Sequence, residues 1–282
     1  MMILILAVFA ALAAPFDSQV EAQATCDDVR FQRCKVQAFQ EFLNVSSDLQ
    51  VINAIFSDYT IMRDFLLKQW SGYNGYGRVD EIVKACNGLS MFTGCMFGND
   101  ACLTPENLLR KPETDIESVF AVLGTHREHE FKCGAGLSTV QHGSLACLQQ
   151  TIFASSDALK DCEKSFLLNV KHDATRVCQH RKVLSMCYAA PFLLATCRPF
   201  EDSLDAWWAC EAMKRFGSER FPMCDSDVVC KLNGPVGSAE YLAAHHSLDK
   251  DGAHLLRAPD HFDIIDGVKK LVSGTVRRIE KL

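Results

Sequence analysis

Cysteine is the first group of potentially reactive side chains in this 282-residue chain. The fourteen cysteines are Cys26, Cys34, Cys86, Cys95, Cys102, Cys133, Cys147, Cys162, Cys178, Cys187, Cys197, Cys210, Cys224 and Cys230. No C-x-x-C motif occurs, so the signatures of zinc knuckles and thioredoxin-type redox sites are absent. An even number of cysteines outside the cytosol predicts a disulfide framework. Fourteen cysteines allow on the order of 10^5 complete pairings, which leaves the connectivity open.

A second group of reactive side chains is the segment His126-Arg127-Glu128-His129-Glu130. Two imidazoles and two carboxylates in five residues could ligate a metal. Zinc proteases, however, need histidines four residues apart with a glutamate directly after the first, and here the histidines are three apart. We therefore interpret the segment as a charged, solvated helix face.

Two further groups are weaker candidates for chemistry. His172-Asp173 resembles the His-Asp pair of secreted phospholipases, but the adjoining cysteine pair and glycine-rich calcium loop are missing. Four histidines near the C-terminus have no fixed spacing and are expected to be solvated: His245, His246, His254 and His261. The loop at 249–252 lacks the third acidic position and the mid-loop glycine of a calcium loop. The sequence therefore predicts no catalytic residue, no metal and no cofactor.

The N-terminus indicates the compartment. The apolar run from Ile3 to Ala14 is shorter than the ~20 residues that cross a bilayer and matches the core of a secretory signal. Ala22-Gln23-Ala24 has the small-x-small form of a cleavage site, with Ala11-Leu12-Ala13 as its competitor. We predict a signal peptide over residues 1–24 and a secreted product. No other segment reaches transmembrane length.

Composition narrows the possible partners. The net charge of −6 and the mixed distribution of charges argue against nucleic-acid binding, which requires a concentrated positive field. With 48% hydrophobic residues the chain can bury a substantial core.

Asn44-Val45-Ser46 is the single N-x-S/T sequon, so Asn44 is the candidate for glycosylation. The alternative is an unmodified asparagine that terminates the preceding helix.

Apolar residues recur at helical spacing along most of the chain, whereas strand-type alternation is nearly missing. The pattern predicts helices over residues 26–43, 48–70, 79–96, 116–130, 137–153, 158–170, 175–195 and 202–216. Asp27 or Asp28 is the expected cap of the first helix, and Ser155-Ser156-Asp157 that of the sixth. The predicted fold class is all-α, a disulfide-stapled bundle of short helices that ends in an amphipathic helix.

The last 52 residues contain no cysteine and have a different character. Residues 231–238 have the composition of a linker. Residues 261–282 place apolar side chains on one stripe, with aspartates early and basic residues late, which predicts the amphipathic helix. We thus divide the chain into a signal peptide (1–24), a cysteine-rich helical domain (25–230), and a linker with a helical tail (231–282). The tail is expected to pack on the core; contact of 260–282 with a membrane surface or a partner helix is the alternative.

The segment ACNGLSMFTGCMFGNDAC at 85–102 and the cysteines from Cys178 to Cys210 carry a family resemblance. They resemble the secreted cysteine-rich helical domains abundant in nematodes, those similar to chondroitin proteoglycan 4 and a related domain of unknown function. This resemblance implies an extracellular, non-enzymatic role in matrix or eggshell and no catalytic residues. Ser71-Gly72 and Ser273-Gly274 lack the acidic neighbours usual for chondroitin attachment, so a glycan-bearing role is not expected.

We therefore predict a secreted, non-enzymatic protein that binds an extracellular protein or glycan or acts as a structural component. One alternative is a secreted hydrolase that uses His126, Glu128, His129 or His172. The other is a helical carrier of a lipid or small molecule. Convergence of these side chains on one cleft would favour the hydrolase. A large closed apolar cavity would favour the carrier, and the absence of both features would favour the binding protein.

Overall fold

The computed structural model describes residues 25–42, 49–72, 79–110, 114–140, 145–195 and 203–280. The predicted signal peptide (1–24), the sequon asparagine Asn44 and Cys197 lie outside the described residues. Signal cleavage and glycosylation therefore stay predictions.

Helices make up most of the described chain, as predicted. The α-helices in chain order are α1 (Asp28–Gln37), α2 (Leu49–Ser57), α3 (Tyr59–Ser71), α4 (Val79–Met96), α5 (Pro105–Leu108), α6 (Ile116–Cys133), α7 (Ala135–Val140), α8 (Leu145–His172), α9 (Val177–Ala195), α10 (Leu204–Ser218) and α11 (Ser238–His245). Helix α1 continues as a π-helical turn over Ala38–Phe42. None of the described helices is long and apolar enough to cross a membrane.

Local capping explains several of these boundaries. The carboxylate of Asp27 accepts a hydrogen bond from the backbone N–H of Arg30 at 3.0 Å, which confirms Asp27 as the cap of α1. Asp58 caps α3 in the same way, at 2.8 Å from the N–H of Thr60, and so divides the predicted helix 48–70 in two. The predicted cap at Ser155 is wrong, because α8 runs through it and Ser155 is buried against neighbouring helices.

The C-terminal residues form antiparallel strands, so the purely all-α class and the amphipathic helical tail are wrong. Strands β1 (Cys230–Lys231) and β2 (Gly234–Pro235) pair within the predicted linker. Strands β3 (His246–Leu248), β4 (His254–Arg257) and β7 (Val276–Ile279) form one sheet in the order β3-β4-β7. Strands β5 (His261–Ile265) and β6 (Val268–Val272) form a separate hairpin.

The turn between β5 and β6 explains why this segment is not helical. Asp266 and Gly267 have φ angles of 54° and 75°, the left-handed region that a two-residue hairpin turn requires. Ile265 and Val268 face each other directly across this turn. Asp-Gly between β-branched residues is a strong hairpin signal, and it outweighs the helical spacing that the same apolar residues also satisfy.

The core lies between α6, α8, α9 and α10, with α3 packed on α8. Trp70 and Trp208 are nearly fully buried there, with ring centroids 5.3 Å apart. The C-terminal strands contribute Leu256 and Ile279 to the same core. The segment after Cys230 is therefore part of the folded body.

Disulfides staple this body, as predicted. The pairs within the described residues are Cys26–Cys102, Cys34–Cys95, Cys86–Cys133, Cys162–Cys187, Cys178–Cys224 and Cys210–Cys230. Cys147 is also disulfide-bonded. The paired cysteines are 20 to 76 residues apart in the sequence. A disulfide that closes a loop of this size typically stabilises the folded protein by about 2–4 kcal/mol.

Candidate functional site

The histidine-rich segment of α6 has two faces. Arg127 and Glu130 face solvent and form an ion pair at 3.0 Å. Glu128 and His129 are instead buried, at 0% and 3% exposure. The interpretation as a solvated face is therefore wrong for Glu128 and His129, because the helical period places them, with Lys132, on the core side of α6.

Glu128 belongs to a group of four ionisable side chains in the protein interior, which we call the buried charge cluster: Arg63, Glu128, Lys132 and Glu163. Arg63 Nη1 donates to Glu128 Oε2 at 2.6 Å, and Lys132 Nζ pairs with the other oxygen of the same carboxylate. Arg63 Nε lies 2.7 Å from Glu163 Oε2. The side chains of all four residues are at most 3% exposed. The cluster thus joins α3, α6 and α8 through charge.

Aromatic rings enclose both cations of the cluster. Lys132 Nζ lies 4.8 Å from the ring centroid of Trp208, 5.8 Å from that of Trp70 and 5.9 Å from that of Tyr188. The guanidinium of Arg63 lies over the ring of Phe216 at 5.4 Å. Cation–π contacts of this kind contribute about 2 kcal/mol when desolvated. The same rings separate the cluster from water.

Burial and charge set opposite protonation tendencies for the two carboxyl groups. Burial by itself raises the pKa of Glu128, but the Arg63 guanidinium and the Lys132 ammonium outweigh it and lower that pKa to about 2. Burial raises the pKa of Glu163 well above its ordinary value, although Tyr59 donates its hydroxyl to this carboxyl. Burial also lowers the pKa of Lys132, with Glu128 opposing the shift. Glu128 is therefore the carboxylate that stays ionised and pairs with both cations of the cluster.

His129 lies beside the cluster as a neutral imidazole. Trp70 Nε1 donates to His129 Nε2 at 3.0 Å, which places the ring proton on Nδ1. Burial and the Lys132 ammonium lower the pKa of His129 to about 3. The ring therefore stays uncharged in the folded protein at neutral pH.

These residue types could serve as acids and bases, but nothing can reach them. A general acid or base must come within hydrogen-bond distance of its substrate, and here every member of the cluster is sealed. The cavity next to His126 and His129 measures about 40 Å³ and is otherwise lined by apolar residues such as Met62 and Phe92. That volume is close to the roughly 30 Å³ share of a single water molecule. It is too small for the substrate of a hydrolase or for the cargo of a carrier.

The other predicted chemistry does not converge either. His172 lies at the end of α8, where its carbonyl accepts a hydrogen bond from Lys269 Nζ at 2.8 Å. Within the described residues the one grouping of potential metal ligands is Cys178, Cys224 and Asp227. The two sulfurs of that group are joined in a disulfide and are not thiolates.

The C-terminal histidines are held in structure, contrary to the expectation of solvated loops. His246 Nε2 and His254 Nδ1 share a hydrogen bond at 2.8 Å between β3 and β4. His245 stacks on Tyr241 of α11, with ring centroids 4.3 Å apart. His261 begins β5 and is 7% exposed. These side chains therefore have defined positions on the folded body.

The outer half of the β5–β6 hairpin exposes apolar side chains; we call residues 264–271 the hairpin tip. Ile264, Val268 and Leu271 are 52%, 56% and 64% exposed. The base of the hairpin is fixed, because the side chain of Asn169 on α8 accepts from the N–H of Phe262 at 3.1 Å and donates to the Asp260 carbonyl at 3.0 Å. The tip is thus apolar surface held outward on a rigid support.

The sequence interpretation missed Arg63, Lys132 and Glu163 of the buried charge cluster, although the local sequence around Arg63 and Glu163 contains a signal. Arg63 stands in α3 between Met62 and the apolar pair at 65–66. Glu163 lies four residues after the buried Leu159, so the helical period places it on the core face of α8. A charge at a core position predicts a buried partner, but the identity of that partner is not a local property.

Comparison with known proteins identified no relative. No family model matches the chain, and neither the curated proteins nor the solved structures include a match. Its function has to be inferred from its own residues: a sealed charge cluster, a disulfide-stapled body and an exposed apolar hairpin.

Proposed function

We propose that this chain is a secreted, non-enzymatic protein that binds an extracellular protein through the hairpin tip. The contrast between interior and surface carries the proposal. Glu128, His129 and Lys132, which could support catalysis, are enclosed in the core, whereas apolar side chains that a monomer usually buries are held out on the hairpin. This proposal takes up the alternative of a contact through residues 260–282, with a strand hairpin in place of the helix.

The charges of the β5–β6 hairpin favour a protein over a membrane as the partner. Lys269 and Lys270 are balanced by Asp263 and Asp266, so the hairpin carries no net charge that would attract anionic lipid. Asp266 is 88% exposed at the apex, where a membrane-inserted tip would have to bury it. Among the described strands β6 pairs with β5 alone, so its outer edge can accept an extended segment of a partner.

Secretion is part of the proposal. The cysteines of the described residues are oxidised, a state that persists outside the cytosol, and the apolar N-terminal run has the form of a secretory signal. The resemblance of segment 85–102 to cysteine-rich nematode domains points to matrix or eggshell as the location. Protein collected from culture medium should show no reactive thiol after denaturation. Several reactive thiols would contradict the proposed compartment.

Binding through the hairpin is tested with a matched pair of variants. Val268→Thr with Leu271→Thr removes apolar surface from the tip but keeps residues that tolerate a strand. The control is Val29→Thr on α1, where the side chain is 82% exposed on another element. Each secreted protein is immobilised, exposed to extracellular fluid of the source tissue, and its bound proteins are quantified by mass spectrometry.

We expect the wild type and Val29→Thr to retain the same partner protein. The amount of that protein bound to the hairpin variant should be at least tenfold lower. Equal retention by all three proteins would contradict the role of the hairpin. Circular dichroism and thermal unfolding of each variant confirm that the fold is intact before the comparison is made.

A further inference from the structure

The register of the β5–β6 hairpin determines which backbone groups of β6 point away from β5. Ile265 and Val268 face each other across the two-residue turn. The two turn residues are neighbours in the chain and cannot exchange hydrogen bonds, so Ile265 and Val268 form the hydrogen-bonded pair that closes the hairpin. Hydrogen-bonded and non-hydrogen-bonded pairs alternate from there along both strands. The N–H and C=O groups of Lys269 and Leu271 therefore point outward from β6.

The chain closes the outer edge of β5 with its own side chains. The same alternation directs the N–H groups of Phe262 and Ile264 outward from β5. Asn169 on α8 accepts from the N–H of Phe262 at 3.1 Å, and the Asp263 carboxylate accepts from that of Ile264 at 2.8 Å. These two acceptors protect β5 from pairing with another strand.

The outer edge of β6 has no such protection. Within the described part of the chain, no group accepts from the outward N–H of Lys269 or of Leu271. All residues from Val268 to Leu271 are exposed, so the described helices and loops leave this edge open. A strand edge with free backbone groups is a template for an extended segment of another chain.

One face of the hairpin offers an added strand an apolar surface. Leu271 of β6 shares this face with Ile264 of β5, and they are 64% and 52% exposed. Lys269 lies on the same face, but its ammonium lies 4.4 Å from the ring centroid of Phe262 and donates to the His172 carbonyl. That ammonium is therefore directed across β5 toward α8, away from the open edge.

Lys270 supplies the charge on the opposite face. Its nearest ion-pair partner among the described residues is Asp266, at 3.7 Å, with side chains that are 48% and 88% exposed, and such pairs are weak. Asp263 is its neighbour on β5. A strand added outside β6 would lie about 4.8 Å from β6 but roughly 10 Å from β5, so Lys270 is the nearer charge. A carboxylate is the side chain that best complements Lys270 across such a pair.

We infer that the protein partner contributes an extended strand that pairs with the outer edge of β6 through the backbone of Lys269 and Leu271. Side chains alternate along that strand, with apolar residues beside Leu271 and a carboxylate opposite Lys270. This inference rests on the proposed function and names the local structure and chemistry of the partner.

A second copy of this chain fits the edge less well. An antiparallel pair that uses Lys269 and Leu271 of both copies places Lys270 directly opposite Lys270 of the other copy. Like charges directly opposite each other destabilise a strand pair.

The test uses short capped peptides in which three valines and three glutamates alternate. In the inferred pairing the valines lie opposite Lys269 and Leu271, so the valine N–H groups face β6 and the glutamate N–H groups face away. One peptide is unmodified, a second is N-methylated on its valines and a third on its glutamates. The two methylated peptides have the same composition and differ only in which N–H groups are blocked. Their affinities for the wild-type secreted protein are measured by fluorescence anisotropy.

We expect the unmodified and the glutamate-methylated peptides to bind. Methylation of the valines should weaken binding by roughly tenfold or more, because it removes the backbone hydrogen bonds to β6. Amide hydrogen exchange of the wild type gives a second readout. Binding should protect the N–H groups of Lys269 and Leu271, whereas those of Val268 and Lys270 are already protected by β5.

The charge is tested with Lys270→Glu and the matched control Lys250→Glu, which changes an exposed lysine between β3 and β4. Lys270→Glu should weaken binding of the glutamate peptide by roughly two- to fivefold. It should strengthen binding of a peptide with lysine in place of glutamate. Lys250→Glu should change neither affinity, and equal effects of the two variants would contradict a carboxylate opposite Lys270.

The inference is overturned if no peptide binds, or if the two methylated peptides bind equally. A wild-type dimer that the unmodified peptide dissociates in sedimentation experiments would identify a second copy as the occupant, and it also overturns the inference. Failure of the proposed function is a separate result, because it is judged by whether Val268→Thr with Leu271→Thr still retains the native partner. Loss of that partner without peptide binding would keep the hairpin as the binding surface and exclude strand pairing.

Discussion

Replacing Glu128 by glutamine is the most direct test of the buried charge cluster. Glutamine keeps the shape of the side chain but removes the anion that pairs with Arg63 at 2.6 Å and with Lys132. Two cations then remain in the core beside Glu163, whose carboxyl group resists ionisation because burial raises its pKa. Removing one partner of a buried ion pair costs roughly 3–5 kcal/mol. That is a large share of the 5–15 kcal/mol that is typical for whole proteins.

The change is measured as the free energy of unfolding in urea, with the disulfides intact. For a domain of this size 1 kcal/mol corresponds to about 2–4 °C in Tm, so the expected fall is roughly 6–20 °C. The matched control is Glu130→Gln on the solvent-facing side of the same helix, which should change stability by less than about 1 kcal/mol. Combining Glu128→Gln with Lys132→Met removes one charge of each sign and should recover part of the loss.

Two results would refute this reasoning. One is a loss below about 1 kcal/mol in Glu128→Gln, which would mean that the carboxylate does not hold the two cations. The other is a double variant that loses the full sum of its single losses, which would show that Glu128 and Lys132 act independently.

The remaining predictions concern pH, a disulfide and helix packing. The pKa of His129 is about 3 in the folded protein and about 6.5 in the unfolded chain. The neutral imidazole therefore contributes fully to the free energy of unfolding above pH 6.5, and this contribution is lost as the pH falls toward 3. His129→Gln should reduce the slope of stability against pH on the acid side by up to about 1.4 kcal/mol per pH unit. Opening the loop of 20 residues between Cys210 and Cys230, by serine at both positions, should lower the unfolding free energy by about 3 kcal/mol in the same urea assay. Gly124→Ala should lower the free energy of unfolding by about 1–3 kcal/mol, because a methyl group there overlaps the Phe216 carbonyl. Gly94→Ala should raise it by about 0.4–1 kcal/mol, because no atom lies within 4 Å of the added methyl group. Equal effects of the two substitutions would contradict the packing of α6 on α10.

Most of the helical framework follows from local sequence. The bounds of α4, Val79–Met96, agree with the apolar period and with the Gly98 turn that stops it. The cap at Asp27 is a contact across three residues. Oxidation of the cysteines follows from their even number and the signal-like N-terminus. Such features depend on neighbours within about one helical turn, so a single sequence contains what is needed to predict them.

Helix boundaries inside packed elements were less predictable. Ser155 has the local preference of a cap, yet α8 continues past it because the residue is buried against other helices. Tertiary packing outweighs a preference of about 1 kcal/mol.

The buried charge cluster and the C-terminal sheet were decided by tertiary structure alone. Arg63 meets Glu128 across 65 residues of sequence, and no local pattern identifies Arg63 as the partner of this glutamate. The apolar residues after His261 satisfy helical and strand spacing alike, and pairing of Leu256 with Arg277 in β4 and β7 helps to decide for strands. The sequence by itself determined the helices and the oxidised cysteines. Tertiary structure determined where the charges and the strands lie, because contacts between residues distant in the chain set the cost of burying a charge and supply the partners of a strand.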